Sequence, residues 1–104
     1  MTGLEMDGKL DAEFRRIIGI LFHECIGEHG FDAPFSIHVT DAGGYTFSAA
    51  FIEDRKHGRP KLFGIKAPED ENGDIAEHSL TFPLRVNASD HEGKTYRTIF
   101  QRIQ

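Results

Sequence analysis

Apolar residues recur at spacings of three and four through the first third of the chain, and they alternate with polar residues through the rest. The first pattern predicts an amphipathic helix over residues 9–29, after a short frayed lead over residues 1–8 with Asp7 as the N-cap. Gly30 stands where a left-handed residue often closes a helix, and Pro34 prevents continuation. The apolar stripe of this helix consists of Leu10, Phe14, Ile17, Ile18, Leu21, Phe22 and Cys25.

Two glycines interrupt the other side of the predicted helix. Gly19 and Gly27 share the helical spacing of eight residues, and each costs about 1 kcal/mol relative to alanine. Two interpretations stay open: another backbone approaches the helix closely here, or a well-packed helix simply tolerates both glycines.

Residues 35–103 form five alternating segments separated by turn-forming residues, which predicts five antiparallel strands. Pairing Val39 with Phe47 leaves Ala42-Gly43-Gly44 as a three-residue loop. The predicted fold class is therefore α+β. One N-terminal amphipathic helix packs on a curved antiparallel meander of five strands, and residues 1–104 form a single domain.

The later hairpins are registered by parity, because paired residues point to the same face of a sheet. Phe51 then opposes Phe63 in the second hairpin. The Asn72-Gly73 dipeptide, a strong type I′ turn signal, joins the third strand to the fourth, and Val86 opposes Tyr96 in the last hairpin. The residues predicted to face the helix are Phe35, Phe47, Phe51, Phe63, Ile65, Leu80, Phe82, Leu84 and Val86.

The same registers predict an apolar row on the sheet face turned away from the helix. A contiguous apolar patch on a solvated face is typical of an interface, and Arg85 and Arg97 would form part of its polar rim. The row indicates a homodimer through this face, or another protein partner. Pro83, which lacks an N–H group for a ladder, scatters the row if it bends the strand. The row consists of Ile52, Leu62, Pro83 and Ile99.

A polar row on the same face supports an alternative function. His38, Ser48, Lys66 and Ser79 fall side by side in the predicted register, as in a small-molecule-binding or catalytic domain. None of these residues lies in a recognisable nucleophile motif, and we assign no catalytic residue. A non-catalytic interaction module is therefore the first interpretation, and a ligand-binding or catalytic domain is the alternative.

Metal and cofactor sites are not expected. His23 and His29 are six residues apart, which separates them by about 120° around a helix and rules out the arrangement of an HExxH zinc motif. Cys25 lies at the centre of the apolar stripe, so we predict a buried, unreactive thiol. The segment from Asp70 to Asp74 lacks the closing glutamate of a calcium loop.

Composition narrows the class of protein further. The 104 residues carry a net charge of −5, which argues against a nucleic-acid or anionic-membrane partner. A single cysteine cannot form an intrachain disulfide, and no apolar run of membrane length appears. We therefore expect a cytoplasmic protein.

Overall fold

The computed structural model describes residues 8–66 and 80–101, with side chains from residue 13 onward. Within these residues one helix precedes an open sheet of five antiparallel strands, which confirms the predicted α+β class. No helix in the described part of the chain is both long and apolar enough to cross a bilayer. The elements are α1 (Gly8–Gly27), β1 (Phe35–Thr40), β2 (Thr46–Ile52), β3 (Lys61–Lys66), β4 (Leu84–Asp90) and β5 (Thr95–Phe100).

From Phe14 to Cys25, helix α1 packs its predicted apolar stripe against the sheet, and it ends two residues earlier than expected, at Gly27. The side chain of Leu10 lies outside the described residues. Gly30 has a φ of 64°, the left-handed conformation predicted for the residue that closes the helix. The N–H of Phe31 donates to the carbonyl of Cys25 at 2.9 Å, which satisfies one of the last carbonyls of the helix. The predicted N-cap, Asp7, lies outside the described residues.

The order of strands in the sheet is β3-β2-β1-β4-β5, so the predicted meander is wrong. Strand β4 pairs with β1 instead of β3, and β3 becomes an edge strand. This pairing places Ile37 and Val39 of β1 between two apolar strands, where both side chains are fully buried. Burial of the central strand is the physical gain over the meander. The Asn72-Gly73 turn on which the meander depended lies outside the described residues.

The first hairpin has the predicted register, whereas the second departs from it. Val39 opposes Phe47, and Ala49 opposes Ile65, as expected. The β2–β3 register then shifts between Ala50 and Phe51, so that Phe51 opposes Leu62. Phe63 is consequently 65% exposed, and its prediction as a core residue is wrong. A β-bulge inserts one residue and cannot be read from parity alone.

The last hairpin differs from its predicted register by two residues. Val86 opposes Thr98, while Ala88 opposes Tyr96. A shift of two keeps every side chain on its predicted face, because side chains alternate with a period of two. Leu84 and Val86 are therefore buried as expected, and Phe82 is partly buried against the core.

Two buried aspartates shape the hairpins at either end of the sheet. The carboxylate of Asp41 accepts hydrogen bonds from the N–H groups of Gly43, Tyr45 and Thr81, and it is 2% exposed. In the last hairpin, Asp90 accepts from the corresponding N–H groups of Glu92 and Lys94, and from Asp32. Both loops also contain a glycine with a φ near 90°, three residues after the aspartate. The two hairpins thus share one turn design.

Burial by itself raises the pKa of Asp90, but its backbone donors outweigh this effect and lower the pKa below the ordinary aspartate value. The donors are the N–H groups of Asp32, Lys94 and Glu92, and the ammonium group of Lys94 lies nearby. Asp90 is therefore ionised at neutral pH. Its charge is held by the turn and the segment that precedes β1.

Candidate functional site

The sheet face turned away from α1 is called the open face here. Along β1, β2 and β4, buried residues alternate with residues that are exposed or half-buried, and the latter define this face. Strand β5 shows the same alternation between exposed and half-buried positions. No described helix packs on the open face, since α1 contributes its buried side chains to the core on the other side.

The predicted apolar row is not assembled on the open face. Leu62 pairs with Phe51 and packs against the core, so it lies on the helix side of the sheet. Pro83 precedes the first residue of β4 and takes no part in the ladder, as expected for a residue without an N–H group. Ile52 pairs with Lys61 and Ile99 pairs with Arg85, at opposite ends of the sheet.

A polar row crosses all five strands at the centre of the open face. His38 on β1 lies between Ser48 on β2 and Asn87 on β4. Lys66 pairs with Ser48 at one end, and Arg97 pairs with Asn87 at the other. With neighbouring strands about 4.8 Å apart, the row spans about 19 Å. We call these five residues the central row.

Three of the four residues predicted for the polar row are brought together by the structure, namely His38, Ser48 and Lys66. Ser79 lies outside the described residues. Asn87 was not predicted for this row, because the predicted pairing of β4 with β3 places Asn87 away from His38. Arg97 was predicted for the rim of the apolar row and instead ends the central row. The signal available in the sequence was the polar alternation of β4, which fits β1 as well as β3.

Every ionisable side chain at an open-face position of the five strands is basic. The chain as a whole carries 17 acidic and 12 basic residues, so this face has the opposite sign to the net charge. Ser36, Thr40 and Thr46 add hydroxyl groups between the charges. The open face therefore carries an array of hydrogen-bonding groups with a positive potential. Its basic residues are His38, Lys61, Lys66, Arg85 and Arg97.

Hydrogen bonding on the open face does not resemble a catalytic arrangement. The Nε2 atom of His38 lies 3.3 Å from the hydroxyl oxygen of Ser36, two residues away on β1, and this contact is exposed. Thr40 and Thr46 form a hydroxyl pair at 3.1 Å across β1 and β2. A nucleophile needs a base that is itself oriented by a third group. These exposed contacts provide binding groups rather than an activated nucleophile.

Cys25 is fully buried, as predicted from its position on the apolar stripe. Burial, together with the nearby charge of Glu24, raises the pKa of its thiol to about 11. The hydroxyl of Tyr96 donates to the carboxylate of Glu24, and burial combined with this bond raises the pKa of Tyr96 to about 12. His29 stacks on the Tyr96 ring with centroids 4.1 Å apart. These contacts join the end of α1 to β5. The thiol of Cys25 and the hydroxyl of Tyr96 are both protonated at neutral pH.

Within residues 8–66 and 80–101, no three histidine, cysteine or carboxylate groups are close enough to hold a metal ion. Cys25 lies in α1 and His29 follows the end of the helix, but the thiol faces the core while His29 is exposed and stacks on Tyr96. Metal independence therefore stays a prediction for experiment.

Comparisons of the chain with protein-family models, with curated proteins and with solved structures each found no match.

Proposed function

We propose that this protein is a non-catalytic binding domain whose open face docks on the acidic surface of another protein. The central row carries the proposal. It places Lys66 and Arg97 at the two ends of a row of polar groups, with His38 in the middle. Complementary charge of this kind steers association and fixes orientation between protein surfaces. We further propose that the protein works in the cytoplasm, in keeping with its single, reduced cysteine.

The size of the array favours a macromolecular partner over a small molecule. A distance of about 19 Å between the ends of the row matches the width of a protein interface better than that of one small ligand. The small-molecule alternative would require the polar groups to converge on a concave site. The basic groups of the open face stand on four of the five strands instead.

The basic residues of the open face also favour an acidic partner over a second copy of the chain. A two-fold dimer through the open face would bring the basic residues of one copy against those of the other, which costs free energy. A nucleic-acid partner is less well supported, because none of the open-face positions fixed by the strand register is aromatic and the net charge is −5. An acidic protein satisfies the pattern without these penalties.

The test compares two charge-reversal pairs of equal size. Lys66→Glu with Arg97→Glu alters the central row, whereas Arg55→Glu with Lys56→Glu alters the exposed β2–β3 turn. Two charge units change at each site, so both variants move from −5 to −9. Fluorescence anisotropy with labelled poly-L-glutamate would measure binding at low and at physiological salt.

We expect the central-row variant to weaken poly-L-glutamate binding by about tenfold or more, and the turn variant to weaken it much less. Equal losses in both variants would show that net charge, not the open face, governs binding. Tighter binding to polyuridylate would overturn the choice of a protein partner. Sedimentation equilibrium completes the test, because a wild-type dimer that the central-row variant dissociates would support a second copy instead.

A further inference from the structure

A groove of about 500 Å³ lies between α1 and the hairpin formed by β2 and β3. Helix α1 contributes residues at helical spacing, including Arg15, Ile18, Gly19 and Phe22, which form one wall. The opposite wall comes from β3 and from the turn before it. Its volume lies within the range of small-molecule sites. Strand β3 contributes to both the groove and the central row, but no residue of the central row lines the groove.

The floor of the groove is apolar. Ile18, Phe51 and Ile65 belong to the buried core, and Phe22 and Leu62 are partly buried against it. The β-bulge turns Leu62 toward this side of the sheet by pairing it with Phe51. An apolar group in the groove would therefore cover core side chains that water otherwise reaches.

The rim of the groove is mainly basic. Arg15, Arg59 and Lys61 line it, and Asp54 is the one carboxylate among its described lining residues. Asp54 is already engaged: its Oδ2 atom lies 2.7 Å from Nδ1 of His57, and its Oδ1 atom accepts from the N–H of Lys56 at 3.1 Å. Arg59 and Lys61 alone carry one positive charge more than Asp54 balances.

Gly19 keeps the middle of the groove open. A Cβ atom at this position would meet nothing within 4 Å, so no neighbouring backbone requires the glycine. Glycine nevertheless costs about 1 kcal/mol in the middle of a helix. The position therefore faces open space in the groove, which a side chain larger than alanine would fill.

From the apolar floor, the basic rim and the open position at Gly19, we infer that this groove binds a small carboxylic acid with an apolar body, such as a fatty acid. The apolar body lies on Phe22, Phe51 and Leu62. The carboxylate lies at the rim near Arg59 and Lys61, where opposite charge and hydrogen-bond donors fix its orientation. The groove shares Lys61 with the open face but contains no residue of the central row.

Four probes separate the contributions of the head group and the tail. Isothermal titration calorimetry would use decanoate, decanol, decylamine and acetate, each below any concentration at which it forms micelles. We expect decanoate to bind about tenfold more tightly than decanol, with no measurable binding of acetate or decylamine. Equal affinity for decanoate and decylamine would overturn the inference, because the basic rim would then have no role.

Two substitutions at one position test the location of the site. Gly19→Ala should leave decanoate affinity within about twofold, since a methyl group fits there, whereas Gly19→Leu should fill the groove and reduce affinity by about tenfold or more. Circular dichroism and thermal unfolding check that both variants fold. Undiminished binding by a folded Gly19→Leu variant would place the ligand elsewhere and refute the inference.

A second pair tests the rim. Arg59→Gln should weaken decanoate binding without changing decanol binding, because it removes only the charge that meets the carboxylate. Arg55→Gln is the matched control, since Arg55 lies in the same turn but does not line this groove. An equal loss from both substitutions would refute the assigned position of the carboxylate.

Discussion

The carboxylate of Asp41 is predicted to be a major local source of stability, and Asp41→Ala tests this directly. Its Oδ1 atom accepts from Gly43 at 3.0 Å and from Tyr45 at 3.1 Å, which closes the β1–β2 turn. Its Oδ2 atom accepts from Thr81 at 3.2 Å, and this bond holds the segment that leads into β4. One side chain therefore connects a local hairpin to the strand that completes the sheet.

The expected magnitude follows from these three hydrogen bonds. A hydrogen bond contributes about 1 kcal/mol net, and bonds to a charged group contribute more, so Asp41→Ala should destabilise the fold by about 3 kcal/mol. For a domain of this size that corresponds to a fall in melting temperature of about 15 °C. Urea unfolding followed by circular dichroism measures the free energy of unfolding directly.

The matched control is Asp41→Asn, which keeps the Oδ1 acceptor but loses the charge and the bond to Thr81. It should destabilise the fold by about half as much as alanine. A loss below about 1 kcal/mol for Asp41→Ala would refute the reasoning, since the buried N–H groups would then be satisfied without the carboxylate. Identical losses for alanine and asparagine would show that charge alone matters.

Three further predictions follow from the described residues. Cys25 should react with a thiol reagent only after unfolding, because it is buried with a pKa of about 11; stoichiometric labelling of native protein would contradict this. Asp54 and Asp90 have lowered pKa values in the folded chain, so the stability they contribute is present above the unfolded pKa of about 3.9 and is lost as the pH falls through their folded pKa values. The free energy of unfolding measured with urea should therefore fall below about pH 4, and it should fall less steeply for Asp90→Asn. Exhaustive chelation should leave the melting temperature unchanged, and a fall reversed by zinc or calcium would disprove metal independence.

Local sequence patterns predicted the parts of the fold that local geometry controls. The helix, its left-handed closure at Gly30 and the β1–β2 register all depend on residues close together in the chain. The predicted face of a residue was also correct where the predicted partner strand was wrong. Val86 is buried as predicted, because parity alone sets its face, whether β4 lies beside β1 or β3.

The rest depends on choices that parity cannot make. Two strands of matching alternation, β1 and β3, could each pair with β4, and burial of Ile37 and Val39 decides between them. The bulge that exposes Phe63 also depends on three-dimensional fit. One signal was overlooked: Asp41 and Asp90 each precede a glycine by three residues, and this repeated turn would have given the last hairpin its observed register.

The candidate site, like the fold, could be predicted from the sequence only in part. The face of His38, Ser48 and Lys66 followed from alternation, and their mutual pairing followed from the two hairpins that join β1, β2 and β3. The predicted apolar row is not formed, because it required the predicted β2–β3 register and the pairing of β3 with β4, and both of these predictions were wrong. The groove beside α1 could not be predicted, since it requires the position of the helix over the edge strand as well as the bulge that reorients Leu62.

The position of β1 at the centre of the sheet has a consequence during synthesis. Strands β1, β2 and β3 leave the ribosome before β4, so one edge of β1 stays unpaired until a strand about 50 residues later arrives. Strand β1 carries Ile37 and Val39, which are among the fully buried residues of the sheet. Until β4 is made, we expect this edge of β1 to be open to pairing with strands of other chains.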